Sequence, residues 1–367
     1  MKFGFTTGTC AAASAKAATY MLLTGKIKKS ITIETPKGIY FSAKIINIER
    51  FENKVSCAVI KDGGDDPDIT SGAQIVSTVN FLPKKNETYV IIKGGKGVGK
   101  ITKPGLEQEV GEAAINSVPR QMIKKEVLEV CSLCDYKGGI EVEISVPEGE
   151  KLASKTFNPR LGILNGISIL GTSGIVEPMS SQALKDTIYI ELKQQKFLGC
   201  NVASVSPGNY GLDFMKKNFD YNLDKSAKCS NFFGETVDMA VELGFKKFLL
   251  CGHIGKLIKI SGGIMNTHSK EGDCRMELLT CAAVKSGCNL DTAKKILDAV
   301  STEEGISIIK KDGNLEETMK YILDKIVFFL NKRANGKLQI ACITFCNQHG
   351  LLAKTENALK FLAECKK

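Results

Sequence analysis

An acidic, glycine-rich segment is the part of the sequence best suited to chemistry. Residues 61–72 read KDGGDDPDITSG and place four aspartates within seven positions, directly after an alternating apolar run at Lys54–Ile60 that is typical of a β-strand. Like charges this close repel each other, so the carboxylates must face water, a cation or hydrogen-bond donors. Asp65 and Asp66 are adjacent and stand before Pro67. Removing both carboxylates from water while both are ionised would be costly.

Two roles for the acidic segment are compatible with its residues. In the first, one of Asp65 and Asp66 titrates high beneath a bound ligand and accepts a proton during a reaction. In the second, the carboxylates accept hydrogen bonds from loop amides and hold the shape of a pocket. Asp68 and Thr70 are placed for such local turn bonds, and this favours the structural role.

A second glycine-rich loop, Gly94–Lys100, has the GxxxxGK spacing of a phosphate-binding P-loop and follows a strand-like run. Two features argue against ATP hydrolysis. Ile101 stands where Ser or Thr would hold magnesium, and Pro104-Gly105 interrupts the helix that should supply backbone N–H groups. The loop amides and lysines are still suited to holding an anion.

Further glycine-containing loops follow short buried strands in the second half of the chain. They lie at Pro207–Gly211, Gly252–Lys256 and Asn347–Gly350. Strands that alternate with helices predict a parallel, doubly wound sheet, in which ligands bind at the carboxyl ends of the strands. His253 lies between two glycines in one of these loops, and His268 lies in the segment NTHS. Both are candidate proton acceptors if the aspartates are structural.

The pattern of helices and strands changes near residue 179 and divides the chain into two predicted domains. Residues 1–178 begin with a helix and continue with short strands in succession, which predicts an α+β domain with antiparallel strands that carries the Gly/Asp-rich loops. Residues 179–367 predict an α/β, Rossmann-like domain with glycine loops at its strand ends. Helices are expected, among others, at Ala11–Leu23, Glu107–Ser117, Pro119–Val130 and Leu351–Glu364.

Composition and charge narrow the class of protein. The net charge of the 367 residues is +10, but the lysines are dispersed and tryptophan is absent, so we expect no nucleic acid partner. A small polyanionic ligand suits such a chain better. No apolar run is long enough to cross a membrane, and thirteen scattered cysteines suit a reducing cytoplasm. We therefore expect a cytoplasmic protein that does not associate with a membrane. It could form a homo-oligomer.

Six segments together resemble the cobalt-precorrin-5B C1-methyltransferases, the CbiD family of anaerobic cobalamin biosynthesis. They are Gly4–Ala12, Lys61–Gly72, Gly94–Leu106, Asn158–Pro178, Ser206–Gly211 and Gly252–Ser269. These segments span nearly the whole chain in the family's order. The combination of KDGGDDPD, SPGNYG, and GHIGKL followed by NTHS is highly specific.

The resemblance implies transfer of a methyl group from S-adenosylmethionine to ring carbon 1 of a cobalt tetrapyrrole, giving cobalt-precorrin-6A. It also implies an α+β domain followed by an α/β domain. The cobalt arrives with the substrate, so no metal site of the protein is required. The acetate and propionate carboxylates of such a substrate suit a basic protein with lysine- and glycine-lined loops.

The residues fall into three groups of candidates on this basis. The catalytic candidates are Asp65, Asp66, His253 and His268. The cofactor-binding candidates are Pro207, Gly208, Asn209, Tyr210, Gly211, Gly252 and Gly255. The substrate-binding candidates are Thr6, Thr7, Lys96, Lys100, Lys103 and Arg160.

Two functions of other classes stay open on the residues alone. One is a nucleotide-dependent kinase or synthetase that uses the Gly94–Lys100 loop, and the other is a non-catalytic tetrapyrrole-binding protein. The sequence also leaves open which domain binds which ligand.

Overall fold

The structure is a computed structural model, and it describes residues 2–66, 68–83, 87–177 and 181–366. The chain divides into two compact units, unit 1 at Met1–Ser180 and unit 2 at Ser181–Lys367. The predicted domain boundary between residues 178 and 179 lies outside the described residues.

Unit 1 is built from short strands and three helices within the described residues. In chain order its elements are β1 Gly4–Phe5, α1 Thr7–Thr24, β2 Ser30–Glu34, β3 Tyr40–Lys44, β4 Ile46–Phe51, β5 Lys54–Ile60, β6 Gln74–Leu82, β7 Tyr89–Gly94, β8 Gly97–Val98, β9 Lys100–Ile101, α2 Ser117–Leu133, β10 Gly139–Ser145, α3 Gly149–Ala153, β11 Ile163–Leu164, β12 Gly166–Ile167 and β13 Ile175–Val176.

Helix α1 is the buried centre of unit 1. Thr6 caps its N-terminus by accepting a hydrogen bond from the Thr9 amide, and Gly25 ends it in the left-handed conformation with φ 70°. Its alanines are fully buried against β5, β6 and α2, because their small side chains let the backbones approach closely. The Ser14 hydroxyl lies 2.6 Å from that of Ser77 and so satisfies two buried polar groups.

The main sheet of unit 1 has the strand order β4-β5-β6-β10-β7. Three of its four pairings are antiparallel, as the succession of short strands predicts, but β10 pairs with β7 in parallel. The reason is the connection between β7 and β10, which contains α2 and returns the chain to the same end of the sheet. The prediction of antiparallel pairing is therefore wrong for β7.

Unit 2 alternates helices with strands. Its elements are α4 Ser181–Phe197, β14 Val202–Ser206, α5 Leu212–Phe219, β15 Ala227–Lys228, α6 Phe233–Glu242, β16 Lys247–His253, α7 Ile254–Ser261, α8 Arg275–Lys285, α9 Leu290–Leu297, α10 Thr302–Lys311, α11 Leu315–Ala334, β17 Gln339–Cys346, β18 Gly350–Lys354 and α12 Ala358–Lys366.

The sheet of unit 2 has the order β15-β14-β16-β17-β18, with parallel pairing except at the edge strand β18. Residues of β16 alternate between two hydrophobic cores: Phe248 and Leu250 face one, and Leu249 and Cys251 face the other. A strand buried on both faces reads as a continuous apolar run, which is how this segment appears in the sequence. Together the units make a mixed α/β protein with antiparallel and mixed sheets.

Two predicted helices are wrong in whole or in part. Glu107–Ser117 forms turns and isolated bridges, with Gly111 at φ 98°, and the helix begins only at Ser117. The first residues of the predicted helix Leu351–Glu364 form strand β18, which pairs with β17. In both places the chain takes up backbone pairing that local helix propensity does not report. In the described part of the chain, no helix is long and apolar enough to span a membrane.

The glycines around β8 serve close packing between backbone segments. Gly97 has φ 73°, and a Cβ there would overlap the carbonyl oxygen of Val146. A Cβ at Gly149 or Gly166 would overlap the carbonyl oxygen of Gly97 in turn. Only residues without a side chain allow three backbones to meet in this way.

We predict that Gly97→Ala lowers the free energy of unfolding of unit 1 by at least about 3 kcal/mol, since the overlap with Val146 adds to the backbone strain. Gly38→Ala is the matched control, because Gly38 has a similar φ of 79° with no atom within 4 Å of an added Cβ. It should cost only about 1 kcal/mol. Denaturant unfolding of both variants measures the difference, and equal losses would contradict the packing role of Gly97.

Candidate functional site

The acidic segment is attached to the N-terminal strand. The Lys2 ammonium lies 2.6 Å from Asp62 Oδ2, and the Lys2 backbone amide donates to Asp65 Oδ2 at 2.6 Å. The amide of Phe5 donates to the Asp62 carbonyl at 2.8 Å. The hydrogen bond from Lys2 is the main reason why the pKa of the Asp62 carboxyl lies below its usual value. Two of the four aspartates thus bind the chain terminus.

Asp68 forms an ion pair with a buried lysine. Lys61 is 2% exposed, and its Nζ lies 2.5 Å from Asp68 Oδ2. Asp68 Oδ1 accepts bonds from the Thr70 amide at 2.8 Å and from the Thr70 hydroxyl at 2.7 Å, so the expected turn bonds are present. Burial alone would raise the pKa of Asp68, but the bonds from Lys61 and Thr70 outweigh it and hold the pKa below its usual value.

The candidates Asp65 and Asp66 differ in what the structure shows of them. Asp65 exchanges two bonds with Lys2, because its own amide also donates to the Lys2 carbonyl at 3.0 Å. The amide of Asp66 donates to the Gly63 carbonyl at 3.4 Å. Pro67, which the sequence analysis placed beside them, lies outside the described residues. The contacts of Asp62, Asp65 and Asp68 all serve the shape of the loop.

The substrate candidates Thr6 and Thr7 are buried. The Thr6 hydroxyl caps α1, while the Thr7 hydroxyl accepts a bond from the Leu170 amide at 2.9 Å. The hydroxyl of Thr9 donates to the Gly174 carbonyl at 2.6 Å. These bonds tie the start of α1 to residues 168–174, so the structure gives both candidate threonines a structural use.

The Gly94–Lys100 loop lacks the geometry of a P-loop. Strand β9 follows it instead of a helix, and the amides of Gly95, Val98 and Gly99 donate to backbone carbonyls. Three of the loop amides are therefore already used and do not serve an anion, and that the loop holds an anion stays a prediction that depends on its lysines. The side chains of the lysines nearby remain exposed.

The basic substrate candidates lie on and around β9. Pairing of β9 with β11 sets Lys100 opposite Leu164, and Lys103 Nζ donates to the carbonyl of Arg160 at 3.2 Å. Lys96, Lys100 and Lys103 are exposed, and Arg160 is half-buried. The structure thus brings Lys103 and Arg160 together, and no recorded contact joins Lys96 to them in the described residues.

The predicted cofactor loops meet at one edge of the unit 2 sheet. Strands β14 and β16 are neighbours, and the strand order reverses between them because β15 lies beyond β14 on one side and β17 lies beyond β16 on the other. Pro207–Gly211 follows β14, and the Pro207 ring would lie 3.0 Å from a Cβ at Gly252 in β16. Gly208 has no atom within 4 Å of an added Cβ, so it faces open space.

Other glycines of this edge are packed. Gly211 has φ 95°, and a Cβ there would overlap the ring of Phe345. A Cβ at Gly252 would stand 2.5 Å from Leu257 Cδ1, and one at Gly255 would stand 3.2 Å from His253 Nδ1. Tyr210, in the loop Pro207–Gly211, is 78% exposed. Of these glycines, Gly208 alone leaves room for a ligand against its backbone.

Both ring nitrogens of His253 have partners. Nδ1 accepts a bond from the Gly255 amide at 3.1 Å and so caps α7, and Nε2 lies 3.2 Å from Glu303 Oε1. In the neutral ring the proton therefore belongs on Nε2, where it is donated to Glu303. The same Glu303 oxygen accepts the Asn347 amide at 3.0 Å, so these contacts join the ends of β16, β17 and the start of α10.

His268 lies in a basic cleft at the same end of unit 2. The cleft has a volume of about 300 Å³ and is lined by Asn231, Gly255, Lys256, Lys259, Thr267, His268, Ser269 and Arg275. The His268 Nδ1 accepts a bond from the Lys270 amide at 3.1 Å. The two candidate histidines therefore belong to adjoining structures that share Gly255. In the described residues, no group of three or more histidine, cysteine or acidic side chains is arranged to hold a metal ion.

Sequence reasoning missed most of this cleft and all of α10. Lys256 and Lys259 lie one helical turn apart after a buried strand, a spacing that places both on one face of α7. The residues of Ser301–Glu304 read STEE, and Ser301 accepts the Glu304 amide at 3.2 Å as a helix cap. That signal was available in the sequence and predicts the helix that carries Glu303.

We predict that Asp68→Asn lowers the free energy of unfolding by about 3 kcal/mol, because it leaves the Lys61 charge buried and unpaired. The double variant Lys61→Met/Asp68→Asn removes that charge and should regain most of the loss. Because the pKa of Asp68 is depressed in the folded state, its contribution is complete above the ordinary carboxyl pKa of 3.8 and is lost as the pH falls through the lower folded-state value. Denaturant unfolding from pH 7 to pH 2 measures the loss in Asp68→Asn, its recovery in the double variant and the pH dependence. If Asp68→Asn is as stable as the parent at pH 7, the ion pair does not stabilise the fold.

Comparison with known proteins gives consistent results over most of the chain. The family described as CbiD matches residues 1–178, and the family described as CbiD, C-terminal domain, matches residues 266–356. A relative from Ruminiclostridium cellulolyticum, named cobalt-precorrin-5B C(1)-methyltransferase, is 47% identical, with 94% of this chain and 89% of the relative covered. A relative of the same name from Methanocaldococcus jannaschii is 42% identical, with 93% of each chain covered.

A crystal structure of the cobalamin biosynthesis protein CbiD from Archaeoglobus fulgidus is 26% identical and covers 75% of this chain and 84% of its own. Its TM-score of 0.38 is too low to support an argument about the fold. The sequence relationship is extensive enough by itself: with relatives above 40% identity along nearly its entire length, the chain belongs to the CbiD family.

Proposed function

We propose that the protein transfers a methyl group from S-adenosylmethionine to carbon 1 of cobalt-precorrin-5B, giving cobalt-precorrin-6A. The observation that carries this proposal is the 47% identity over 94% of the chain to a relative named for that reaction. The methyl donor is inferred from the class of reaction. The cobalt is part of the substrate, so the protein needs two binding sites, one for the methyl donor and one for the tetrapyrrole.

The cofactor is proposed to bind where the strand order of the unit 2 sheet reverses. The first strand of this sheet in sequence, β14, lies second in the order β15-β14-β16-β17-β18, which supports our proposal of a doubly wound, Rossmann-like arrangement. In such sheets ligands bind at the carboxyl ends of the two strands that flank the reversal. Those ends carry Pro207–Gly211 and the segment from Gly252 to Gly255. Gly208 offers the open backbone that a cofactor can approach.

The reaction itself asks little covalent help of the protein. The nucleophilic ring carbon attacks the sulfonium methyl, the carbon–carbon bond forms as the carbon–sulfur bond breaks, and the electron pair of the broken bond stays on sulfur. Holding the two reactants in line at attack distance supplies most of the acceleration. We therefore expect the residues that bind and orient the reactants to matter more than any single nucleophile or base.

A proton acceptor, if the reaction uses one, is proposed among Asp65, Asp66, His253 and His268. Asp65 is bonded to Lys2, and a proton taken up at Nδ1 of His253 or of His268 would break the bond that this nitrogen accepts from a backbone amide. Each of these three residues would have to give up a structural bond to act.

The substrate carboxylates are proposed to contact the basic group on and around β9, formed by the exposed Lys96, Lys100 and Lys103 and the half-buried Arg160. Thr6 and Thr7 have structural contacts, and any role they have toward the substrate is through the loop at residues 168–174 that they hold. We further propose that the protein works in the cytoplasm, without membrane or nucleic acid partners, and that a homo-oligomer is compatible with this function.

Incubation with methyl-labelled S-adenosylmethionine and cobalt-precorrin-5B tests the function directly. We expect label in the tetrapyrrole, on carbon 1, and release of S-adenosylhomocysteine in equal amount. ATP-dependent turnover without methyl transfer would instead favour a kinase or synthetase. Tight tetrapyrrole binding with no turnover would favour a non-catalytic binding protein.

We predict that Gly208→Val raises the dissociation constant for S-adenosylmethionine by roughly tenfold or more, since the added side chain enters the space proposed for the cofactor. Stability should change by less than about 0.5 kcal/mol, because no protein atom lies near the new Cβ. Calorimetric titration and denaturant unfolding measure the two effects. An unchanged affinity in the folded variant would remove the support for this cofactor site.

We predict that the triple variant Lys96→Ala/Lys100→Ala/Lys103→Ala weakens substrate binding and flattens its dependence on salt, since three exposed charges are removed. Each single change should cost about 1 kcal/mol or less, because exposed ion pairs contribute little. Titration of the cobalt tetrapyrrole at several salt concentrations provides the measurement. A salt dependence equal to that of the parent would place the carboxylate contacts elsewhere.

A further inference from the structure

The basic cleft of unit 2 has more positive charge than its surroundings neutralise. Three of its eight lining residues are lysine or arginine, and none is aspartate or glutamate. Asp273 is the carboxylate recorded beside them, and it forms an ion pair with Arg275 and lies 3.8 Å from Lys259 Nζ. This carboxylate contacts two of the three cations, which leaves an excess of positive charge within a partly enclosed space.

Lys256 carries the least compensated of these charges. Its side chain is half-buried, and its recorded bond is a long one, 3.4 Å from Nζ to the Ser230 carbonyl. No ion pair is recorded for it within the described residues. Burial, together with the nearby charge of Lys259, holds the pKa of Lys256 below its ordinary value. A half-buried ammonium without a counter-ion is unfavourable unless a ligand supplies the missing negative charge.

The other two cations are held in place by the protein. Lys259 is 3% exposed, and its Nζ donates to the Gly272 carbonyl at 2.7 Å and to the Thr267 carbonyl at 3.3 Å. Arg275 uses Nε and one Nη2 hydrogen on Asp273, which leaves its remaining N–H groups available as donors. These two residues therefore present fixed positive charge, and Lys256 is the one whose pairing is incomplete.

Neutral donors complete the lining. Because His268 Nδ1 accepts the Lys270 amide, the neutral ring carries its proton on Nε2, and this N–H has no recorded partner in the described residues. The Thr267 hydroxyl donates to Asn231 Oδ1 at 3.5 Å, so the Asn231 amide nitrogen is left as a donor. Donors and cations thus outnumber acceptors throughout the cleft, and an anion is the ligand that suits it.

We propose that this cleft binds an alkyl carboxylate of one of the two reactants, with Lys256 as its principal counter-ion. The inference rests on the proposed function, because both reactants of that reaction carry carboxylates: one on the methionine part of the cofactor, and several on the tetrapyrrole. A phosphate is a poorer match, since phosphate sites use free amides at a helix N-terminus and the Gly255 amide is already bonded to His253.

Equilibrium titration of the Lys256→Met variant tests the proposal, with the parent protein for comparison. In the first arm the probes are S-adenosylhomocysteine and its decarboxylated analogue, which lacks the carboxylate alone. In the second arm the probes are a cobalt corrin with free side-chain carboxylates and its methyl ester. We expect the variant to bind the carboxylate-bearing probe of one arm roughly 10- to 100-fold more weakly than the parent does, and to bind the carboxylate-free partner with unchanged affinity.

The arm that shows this loss identifies the source of the carboxylate. Lys285→Met is the control for net charge, because Lys285 is exposed at the end of α8 and is not part of the lining, and it should bind every probe as the parent does. Lys256→Met should be at least as stable as the parent, since it removes an uncompensated, half-buried charge and keeps an apolar side chain of similar length. Loss of stability would show that Lys256 is structural and would overturn the proposal.

Three further results would overturn it. They are unchanged affinity of Lys256→Met for both carboxylate-bearing probes, an equal loss for probes with and without the carboxylate, and competition by inorganic phosphate at the same concentration as the probe. Binding in these titrations does not depend on turnover. If the parent binds a probe and Lys256→Met binds it equally well, the proposed carboxylate site is refuted while the proposed function is unaffected. If the parent binds neither probe and transfers no methyl group, the proposed function fails as well.

Discussion

Contact between one backbone and another, at positions where a side chain cannot fit, is the constraint on which the loops of this protein depend. Gly64 lies against the N-terminal strand, where a Cβ would overlap the carbonyl of Lys2, and Gly97 is enclosed by Val146, Gly149 and Gly166. From the sequence alone, such glycines indicate places where a ligand can approach the backbone. In the structure, other parts of the chain fill that space. Glycine content therefore locates tightly built loops, and only the structure separates those occupied by protein from those open to a ligand.

Elements with a strong hydrophobic pattern could be predicted from the sequence. Strand β5 has its expected bounds, and helix α1 ends one residue after its expected end but begins at Thr7, four residues before the expected Ala11. Both are predictable because burial on one or both faces leaves a local signature. Strand β18 has no such signature. It forms at the edge of a sheet whose pairing depends on β17, and its residues, Gly350–Lys354, are compatible with a helix in isolation. Pairing with the preceding strand, and not a pattern within Gly350–Lys354 itself, makes this segment a strand.

The charged residues of the two candidate sites also show that contacts made by the fold cannot be predicted from the local sequence. The acidic loop is conspicuous in the sequence, yet Asp62 and Asp65 are bonded to Lys2 some 60 residues away, and Asp68 is bonded to a lysine that is itself buried. The basic cleft is inconspicuous, because Asn231, Lys256, His268 and Arg275 come from separate segments. A local cluster of like charges invites partners from elsewhere in the fold. A cluster assembled by the fold appears only in three dimensions.

Electrostatics also limits how the proposed cofactor can lie in unit 2. A sulfonium is a cation, and placing it beside Lys256, Lys259 and Arg275 would be unfavourable in a partly enclosed space. The methionine part of the cofactor carries its carboxylate at the far end of a short chain from the sulfur. If the carboxylate occupies the cleft, the sulfonium is held away from the three cations, toward the loop Pro207–Gly211. If a tetrapyrrole carboxylate occupies it instead, the sulfonium must lie outside the cleft altogether. In either case repulsion by the positive lining favours a position of the sulfonium away from the three cations.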